Sequence, residues 1–313
     1  MILTITSNPL LEKTLFFDKL ERGKVNRAKS IIVQAGGKGV NVSRQLKYLG
    51  LDSLVAGFIG GENGKRLKSI LYREEIKNSF YQINSETREG IVIVDNDQIL
   101  ESYFDPDPLV LSKEVIGFID KAKKAILNSE MVIVSGSSPV FETSDDELLI
   151  FKEILTYANE NDKFTLLDVY GDRLPEILKL KPDLVHVNKD EASKYLNAIF
   201  QDEDDIVEFL KSMYKAGIKI FSITAGHESF YTINQGYVYK TTPPEIQCIN
   251  STGSGDAFMA GIIYGLHHNL PFEEILRWAT ACGAANATKF SVCDNEIRFV
   301  EAFLNKVKVE KLN

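Results

Sequence analysis

The segment at residues 250–261, NSTGSGDAFMAG, places glycines, a serine and an acid directly ahead of a small apolar run. The apolar run predicts the start of a buried helix. Glycines allow backbone amides to crowd together, and the first turn of a helix presents unpaired N–H groups with a partial positive charge. The segment therefore predicts an anion site. Its expected backbone donors belong to Thr252, Gly253, Ser254 and Gly255.

Asp256 stands at the mouth of this predicted anion site, where its negative charge would oppose an anion. A carboxylate in that place has a purpose if it removes a proton from a hydroxyl that attacks phosphorus. Asp256 is therefore a candidate general base for phosphoryl transfer. The segment alone leaves a second interpretation open, in which Asp256 is an ordinary residue of a helix start after a glycine-rich turn.

A second glycine-rich segment, QAGGKGVNVSR at residues 34–44, lies near the start of the chain. With it, the sequence resembles the ribokinase (PfkB) family of carbohydrate kinases. Members of that family carry a double-glycine motif near the N-terminus and a G-A-G-D motif near the C-terminus. Gly36, Gly37 and residues 253–256 match these motifs in the same order and at a similar separation. The resemblance extends over nearly the whole chain.

Residues 4–9 (TITSNP), with 13–14, 25–27 and 87–88, are similar to the branch of this family that contains 1-phosphofructokinase and tagatose-6-phosphate kinase. The resemblance implies transfer of the γ-phosphoryl group of ATP, with Mg²⁺, to a hydroxyl of a sugar phosphate. An acceptor of the fructose-1-phosphate or tagatose-6-phosphate type would give a bisphosphate. Two other hypotheses stay open: a kinase of a non-phosphorylated sugar or nucleoside, and a non-catalytic sugar-phosphate sensor.

The resemblance also implies an α/β fold, a ribokinase-like three-layer sandwich with a mostly parallel central sheet and a small β-sheet lid. Residues 1–313 would form a single kinase domain. The sequence pattern agrees, because short apolar runs rich in β-branched residues alternate with helical stretches. Polar residues and glycines follow each run, where open α/β sheets bind ligands. The predicted strands include 131–134, 164–167, 184–187 and 220–223, and the predicted helices include 113–127, 145–160 and 203–216.

Residues 10–33 and 81–105 interrupt this alternation and predict strands without helices between them. Residues 91–104 predict a hairpin that turns at 95–97. The resemblance implies that both stretches form the lid, which would exclude water from the acceptor. An edge extension of the main sheet is the alternative. A homodimer through the lid is expected, with apolar surface from Phe16, Phe17 and Tyr103.

The bulk composition excludes several other classes of function. The chain has 313 residues, is 44% hydrophobic and 26% charged, and carries a net charge of −8. That charge argues against a nucleic-acid partner, and no apolar run reaches the about 18 residues of a membrane span. Cys248, Cys282 and Cys293 have the spacing of neither a disulfide framework nor a zinc site, which indicates a cytoplasmic location. The expected partner is a small-molecule sugar or sugar phosphate.

Asn188 and Glu191 match an N-x-x-E motif of the family. The resemblance implies that Glu191 orders Mg²⁺ through waters, which suits an ion that keeps its water ligands. His186 stands where relatives usually have lysine, and this puts one positive phosphate contact in doubt. Without the other motifs, Asn188 would be interpreted simply as the cap of the following helix.

Nucleotide contacts are expected after the strand at 220–223 and from a small-residue helix at 279–286. Small side chains let a flat adenine approach the backbone, although tight helix packing would use the same residues. The chain has no G-x-x-x-x-G-K-[ST] segment, so phosphate binding is not of the P-loop kind. The expected nucleotide-binding residues are Asn188, Ser222, Thr224, Gly226, Thr252, Cys282 and Asn286.

The acceptor would be held beside the double glycine, which permits close backbone approach to sugar hydroxyls. A guanidinium suits an acceptor phosphate because its planar fork matches the phosphate oxygens. Arg88 discriminates best between phosphorylated and free acceptors, unless it merely pairs with Glu86 or Glu89. The expected acceptor-binding residues are Glu12, Gly36, Gly37, Lys38, Asn41, Arg44 and Arg88.

The sequence departs from the family pattern at Glu12, Asp107, Phe141 and Tyr170, all of which are expected near the acceptor. Glu12 stands where relatives have aspartate. Its extra methylene moves the carboxylate by roughly 1 Å, a shift that can reduce the rate about 10²-fold if nothing compensates it. These departures leave open which sugar, and which hydroxyl, accepts the phosphoryl group.

Overall fold

The buried apolar runs of the chain form the strands of a large central sheet. In the computed structural model, which describes residues 1–96 and 98–312, this sheet has ten strands. From one edge to the other they are β18 (Lys308–Leu312), β17 (Tyr237–Thr242), β16 (Phe230–Asn234), β15 (Ile220–Thr224), β14 (Leu184–Asn188), β13 (Phe164–Val169), β11 (Met131–Gly136), β1 (Ile2–Ile5), β4 (Ser53–Ala56) and β6 (Lys77–Asn78).

The sheet is mostly parallel. Every strand from β15 to β6 runs parallel to its neighbours, whereas β16, β17 and β18 are antiparallel and form one edge. The parallel part is buried on both faces, and this explains why its strands are nearly continuous apolar runs. The predicted strands at 131–134, 164–167, 184–187 and 220–223 are confirmed as β11, β13, β14 and β15.

Two layers of helices cover the sheet. On one face lie α3 (Ser112–Leu127), α4 (Ser144–Glu160), α5 (Leu174–Leu178), α6 (Lys189–Leu196) and α7 (Glu203–Lys215). On the other face lie α1 (Lys38–Tyr48), α8 (Ser254–His267), α9 (Phe272–Ala287) and α10 (Ile297–Leu304). Neighbouring strand residues such as Ile2 and Leu3 contribute to opposite layers, as strand geometry requires. The three-layer α/β architecture is therefore confirmed.

A four-stranded sheet lies apart from the central sheet. Its order is β3 (Ser30–Gly36), β2 (Leu10–Phe17), β8 (Glu89–Asp95) and β9 (Gln98–Phe104). β8 and β9 form the predicted hairpin, although Asp97 of its predicted turn lies outside the described residues. Helix α2 (Gly61–Arg73) packs near this sheet. The short strands β5 (Phe58–Gly60) and β7 (Tyr81–Ile83) form one pair, and β10 (Leu109–Val110) and β12 (Val140–Phe141) form another.

The chain order of the central strands fixes where a ligand can lie. From β1 the chain continues to β4 on one side, and later returns to β11 on the other side of β1. This reversal leaves a crevice beyond the carboxyl ends of β1 and β11, because no connection covers both ends. The segments that follow these strands, residues 6–8 and 137–138, meet there through a bond from Asn8 Nδ2 to the Ser138 carbonyl of 3.1 Å.

Candidate active site

A cleft of about 950 Å³ opens beyond the carboxyl ends of the parallel strands, beneath the small sheet. It adjoins a more apolar hollow of about 820 Å³. The polar residues predicted to follow β11, β14 and β15 meet in the cleft, as expected for an open α/β sheet. Predicted site residues that line it are Glu12, Gly37, Lys38, Asn41, Arg88, Asn188, Glu191, Thr224, Gly226, Thr252, Gly253, Ser254, Gly255 and Asp256.

Asp256 lies in the first turn of α8, and its carboxylate faces the cleft although the residue is only 4% exposed. Asn41 Nδ2 donates to Asp256 Oδ2 over 2.8 Å, so an acceptor-side residue of α1 orients the candidate base. Burial raises the pKa of Asp256 to about 6, against the opposing effect of the Lys38 ammonium. A carboxyl with that pKa is mostly ionised near neutral pH and still takes a proton readily, as a general base must.

The backbone ahead of Asp256 forms a cradle of N–H groups, but a smaller one than the sequence predicted. Two of the expected donors are already used: Thr252 N–H donates to Asn250 Oδ1 and Ser254 N–H to the Ser251 carbonyl. Within the described residues, the amides of Gly253, Gly255 and Asp256 donate to no protein acceptor. These amides, at the N-terminus of α8, can therefore receive an anion.

Position 253 must be occupied by glycine. Its φ of 76° lies in the left-handed region, and a Cβ would meet Val292 Cγ1 at 2.3 Å. The cradle is held from below by Asn286, whose Nδ2 donates to the Thr252 carbonyl over 2.8 Å and whose Oδ1 accepts from Cys293 N–H. Asn286, predicted to contact the nucleotide, is fully buried and instead fixes the loop that carries the cradle.

Lys38 is the central positive charge of the cleft. Its Nζ lies 3.0 Å from Asp168 Oδ1 and 3.7 Å from Glu191 Oε1, and 5.0 Å from the centre of the Tyr170 ring. Burial opposes its charge, but the carboxylates of Asp168, Glu191 and Asp256 outweigh burial and raise the pKa of Lys38. This lysine therefore stays charged and faces the candidate base, the metal candidate and the phosphate region together.

Asp168 and His186 form a buried pair beneath Lys38. Burial opposes ionisation of Asp168, yet Lys38 and His186 overcome it and hold the pKa of Asp168 well below its usual range. Because Asp168 is ionised, His186 Nδ1–H donates to it over 3.1 Å, and His186 Nε2 lies 3.0 Å from Thr224 Oγ1. His186 thus joins β13, β14 and β15 at the position where the resemblance had implied a lysine.

Asn188 and Glu191 form a reciprocal cap at the start of α6. Glu191 N–H donates to Asn188 Oδ1 over 2.8 Å, and Glu191 Oε2 accepts from Asn188 N–H over 2.9 Å. The capping interpretation of Asn188 is therefore what the geometry shows, while both residues also line the cleft. The remaining oxygen of Glu191 faces Lys38 and the cleft.

This one carboxylate oxygen, 3.7 Å from Lys38 Nζ, fits Mg²⁺ bound through water better than Mg²⁺ bound directly. Among the described residues, no group of three or more His, Cys, Asp or Glu side chains could hold a metal ion. Mg²⁺ usually keeps several waters and takes its other ligands from substrate phosphates. A carboxylate such as Glu191 at the phosphate end is compatible with that arrangement.

The apolar hollow next to the cleft has the character of a nucleoside pocket. On α9, Thr280, Gly283, Ala284 and Ala287 face it at the three- and four-residue spacing of one helix face. Thr224 and Gly226 border both the hollow and the cleft. The segment 243–248 forms part of the wall, a contribution that the sequence did not suggest.

Besides Asn286, two further residues predicted to contact the nucleotide lie elsewhere. Ser222 is 1% exposed, and its hydroxyl pairs with Thr232 Oγ1 at 2.8 Å inside the sheet. Cys282 is fully buried in the core between α9 and the central sheet, where burial raises the pKa of its thiol. Ser222 lies on the same face of β15 as Thr224 but deeper in the sheet, whereas Cys282 lies one residue out of phase with Gly283, which lines the hollow. Neither lines the cleft or the hollow.

The acceptor end of the cleft is made of side chains from several elements. Glu12, on β2, lines it and accepts from Gln34 Nε2, and burial raises the pKa of Glu12. Arg88 NH1 donates to Asp107 Oδ1 over 3.0 Å, and Arg88 NH2 donates to the Asn8 carbonyl over 3.0 Å. Arg88 therefore lies where an acceptor phosphate was predicted, but its partner is Asp107 and neither Glu86 nor Glu89.

Arg44 occupies a different place from the one its predicted role requires. It is 6% exposed and donates to the Ala35 carbonyl, to Glu74 and to Asn41 Oδ1. The last bond, of 2.9 Å, fixes the amide whose other end holds Asp256. Arg44 thus orients Asn41 and does not line the cleft.

Gly36 and Phe141 also lie outside the cleft lining. Gly36 is buried, and a Cβ would lie 3.1 Å from Leu10 Cδ2, whereas its neighbour Gly37 faces the cleft with φ 116°. Phe141 belongs to β12 and contacts Phe58 with ring centres 6.4 Å apart. The Phe141 departure therefore alters the packing near the core, not the acceptor pocket itself.

The fold and the site together define a phosphotransferase with an alcohol acceptor. The chain belongs to the pfkB family of carbohydrate kinases, since residues 5–298 match the family described as "pfkB family carbohydrate kinase". Over 292 aligned residues it is 32% identical to a tagatose-6-phosphate kinase of Staphylococcus epidermidis. This alignment covers 92% of each of the two chains. This similarity spans both glycine-rich segments.

Solved structures share the whole architecture. A crystal structure assigned as a phosphofructokinase of Staphylococcus aureus has 26% identity and a TM-score of 0.85, and it covers 100% of this chain and 99% of its own. One assigned as a 1-phosphofructokinase of Thermotoga maritima has 24% identity and a TM-score of 0.87, with the same coverage. The described residues contain no helix that is both long and apolar enough to cross a membrane.

The raised pKa of Asp256 predicts a pH-dependent stability effect. The folded state holds this proton more tightly than the unfolded chain, so its stabilising contribution is present below pH 3.8 and is lost as pH rises through about 6. Asp256→Asn cannot titrate. At pH 8 we expect the free energy of unfolding of Asp256→Asn to be about 1–3 kcal/mol higher than that of the wild type, because one pKa unit corresponds to about 1.4 kcal/mol.

Urea denaturation at pH 4, 6 and 8 measures this difference, which should shrink toward pH 4. Asp120→Asn removes an exposed carboxylate of α3 and controls for the general change in net charge. An equal effect of both substitutions at every pH would contradict the prediction.

Proposed function

We propose that this chain is an ATP-dependent kinase that transfers the γ-phosphoryl group to a hydroxyl of a sugar phosphate and forms a bisphosphate. The observation that carries the proposal is the buried Asp256 carboxylate beside free amides at the N-terminus of α8. The curated relative is a tagatose-6-phosphate kinase, and this favours an acceptor of that type or of the fructose-1-phosphate type.

The base and its surroundings suit proton transfer from an alcohol. Asn41 holds one oxygen of Asp256, so the carboxylate is oriented before the acceptor arrives. As the hydroxyl attacks, Asp256 takes its proton at an oxygen that faces the cleft. The amides of Gly253, Gly255 and Asp256 then donate to the oxygens of the migrating phosphoryl group, where negative charge is held in the transition state.

Lys38 and Glu191 would act on the polyphosphate side. Lys38 contributes a fixed positive charge, held between Asp168 and Glu191, at this end of the cleft. Glu191 would hold Mg²⁺ through water, and Mg²⁺ supplies neutralisation of the phosphate oxygens when bound. The hollow lined by α9 and residues 243–248 would receive the nucleoside, with Thr224 and Gly226 at the junction.

A coupled ADP-release screen tests the assignment. With ATP and Mg²⁺, we expect turnover of at least one hexose phosphate among hexose phosphates, free hexoses, pentoses and nucleosides. Asp256→Asn should reduce kcat by about 10²–10⁴, because it removes the base and leaves the binding surfaces in place. If the wild type turns over none of these acceptors but binds a sugar phosphate in calorimetry, the chain is a sensor and the kinase proposal fails.

Arg88 separates a phosphorylated acceptor from a free one. We expect Arg88→Ala to raise KM at least tenfold for the sugar phosphate and to change KM for the corresponding free sugar less than threefold, since only the first loses a charge-assisted contact. Steady-state kinetics with both acceptors measures the two effects. Arg66→Ala, an exposed position on α2, is the matched control. Equal effects on both acceptors would favour the ribokinase-like alternative.

We also infer that the four-stranded sheet is a lid and that two lids pair in a homodimer. β3 and β9 are its edges, and Ile31, Ile32, Tyr103 and Phe104 expose apolar surface there. Phe16, by contrast, packs on Phe290 of the same chain at 5.1 Å. Of the residues predicted for such a contact, Tyr103 is the more available, because it is 54% exposed.

Sedimentation velocity tests the pairing. We expect a dimer for the wild type and a monomer for Ile31→Lys, because a charge at a lid edge opposes strand pairing. Ile116→Lys is a matched control, since Ile116 is 57% exposed on α3 and Ile31 is 58% exposed on β3. A monomeric wild type would refute the proposal.

A cytoplasmic location stays an inference from the cysteine spacing.

A further inference from the structure

The guanidinium expected to bind an acceptor phosphate already carries a carboxylate partner. Arg88 NH1 donates to Asp107 Oδ1 over 3.0 Å, and the side chains are 15% and 40% exposed, respectively. The same carboxylate oxygen accepts from Asn8 Nδ2 over 2.7 Å. Asp107 is therefore fixed by two donors and lies directly on the positive charge that lines the acceptor end of the cleft.

The backbone around Asp107 reinforces this placement. Pro106 and Pro108 flank it, and each fixes its own φ, which restricts the backbone that carries Asp107. Arg88 is fixed as well, because NH2 donates to the Asn8 carbonyl and lies 3.3 Å from Ser137 Oγ. The pair is thus held from both sides and is not a surface ion pair that rearranges freely.

Other charges at this end do not replace Arg88. Lys38 forms ion pairs with Asp168 and Glu191 on the polyphosphate side. Arg44 is buried, where it donates to Asn41 and pairs with Glu74. Lys13 pairs with Glu89, and Glu12 adds a further acid to the cleft wall. A phosphate that enters this end therefore meets a guanidinium whose charge is offset by Asp107.

We propose that Asp107 is a specificity-determining residue that weakens binding of a phosphorylated acceptor by competing for Arg88. This inference rests on the proposed kinase function and refines which acceptors that site prefers. A phosphate must share or displace the Asp107 partner of Arg88, whereas a hydroxyl can accept from the remaining N–H groups without expelling a charge. Asp107 thus reduces the ratio by which the enzyme binds a phosphorylated sugar more tightly than a free sugar.

Asp107→Asn tests the charge without removing the hydrogen bonds, because an amide oxygen still accepts from Arg88 and Asn8. We expect KM for the sugar phosphate to fall at least tenfold and KM for the free sugar to change less than threefold. Asp105→Asn is the matched control, since Asp105 lies on the same loop and accepts from Glu89 N–H, not from Arg88. An unchanged or higher KM for the sugar phosphate in Asp107→Asn would overturn the proposal.

A binding measurement keeps this inference separate from the kinase assignment. Calorimetry with inorganic phosphate should show at least fivefold tighter binding to Asp107→Asn than to wild type, and the gain should vanish in the Arg88→Ala background. That result stands even if no acceptor is turned over, in which case only the kinase proposal fails. A gain that persists without Arg88, or no gain at all, would refute competition by Asp107.

Discussion

The site depends on the burial of the Asp256 carboxylate beside a single ammonium. Burial raises its affinity for a proton, while Lys38 restrains that effect, and the balance leaves a base with a pKa of about 6. Lys38 must at the same time satisfy Asp168 and Glu191, so it cannot neutralise all three acids. Among the described residues that line the cleft, five acids (Glu12, Asp190, Glu191, Glu228 and Asp256) outnumber the three cations (Lys38, Arg88 and Lys189). In the proposed kinase reaction, backbone amides and a cation brought by the nucleotide would therefore supply positive charge for the polyphosphate.

The amide cradle in turn depends on close packing between two helices. A Cβ on Gly261 of α8 would lie 2.6 Å from Ala279 Cα of α9, so the two backbones are in direct contact. Gly283 lies equally close to the start of α8, where a Cβ would be 3.1 Å from the Ser254 carbonyl. This contact brings Asn286 beneath the loop at Thr252. Small residues on α9 therefore both permit close helix packing and line the apolar hollow.

Much of the fold was predictable because it follows local periodicity. The parallel strands, the helices between them and the 91–104 hairpin are encoded in short apolar patterns. The direction of individual side chains was harder to predict. Ser222 and Cys282 lie within segments that were correctly placed, but neighbouring elements bury both: Ser222 pairs with Thr232 inside the sheet, and Cys282 packs in the core beside α8 and the sheet. The Asn8–Asp107 bond joins residues 99 positions apart, and no local pattern predicts it.

The two ends of the cleft therefore differ in composition: one presents mainly backbone groups and the other mainly side chains. The phosphoryl end consists mainly of backbone amides at a helix start, whose direction is set by glycine conformation and helix packing. Glycines at fixed positions set this geometry, so a sequence motif predicts where the cradle lies, although not which of its amides are free. The acceptor end consists of side chains from β2, the loop before β8 and the loop after β9. One substitution there, such as an acid at Asp107, can change the local charge without disturbing the base. Family membership consequently defines the reaction of this chain more firmly than its acceptor.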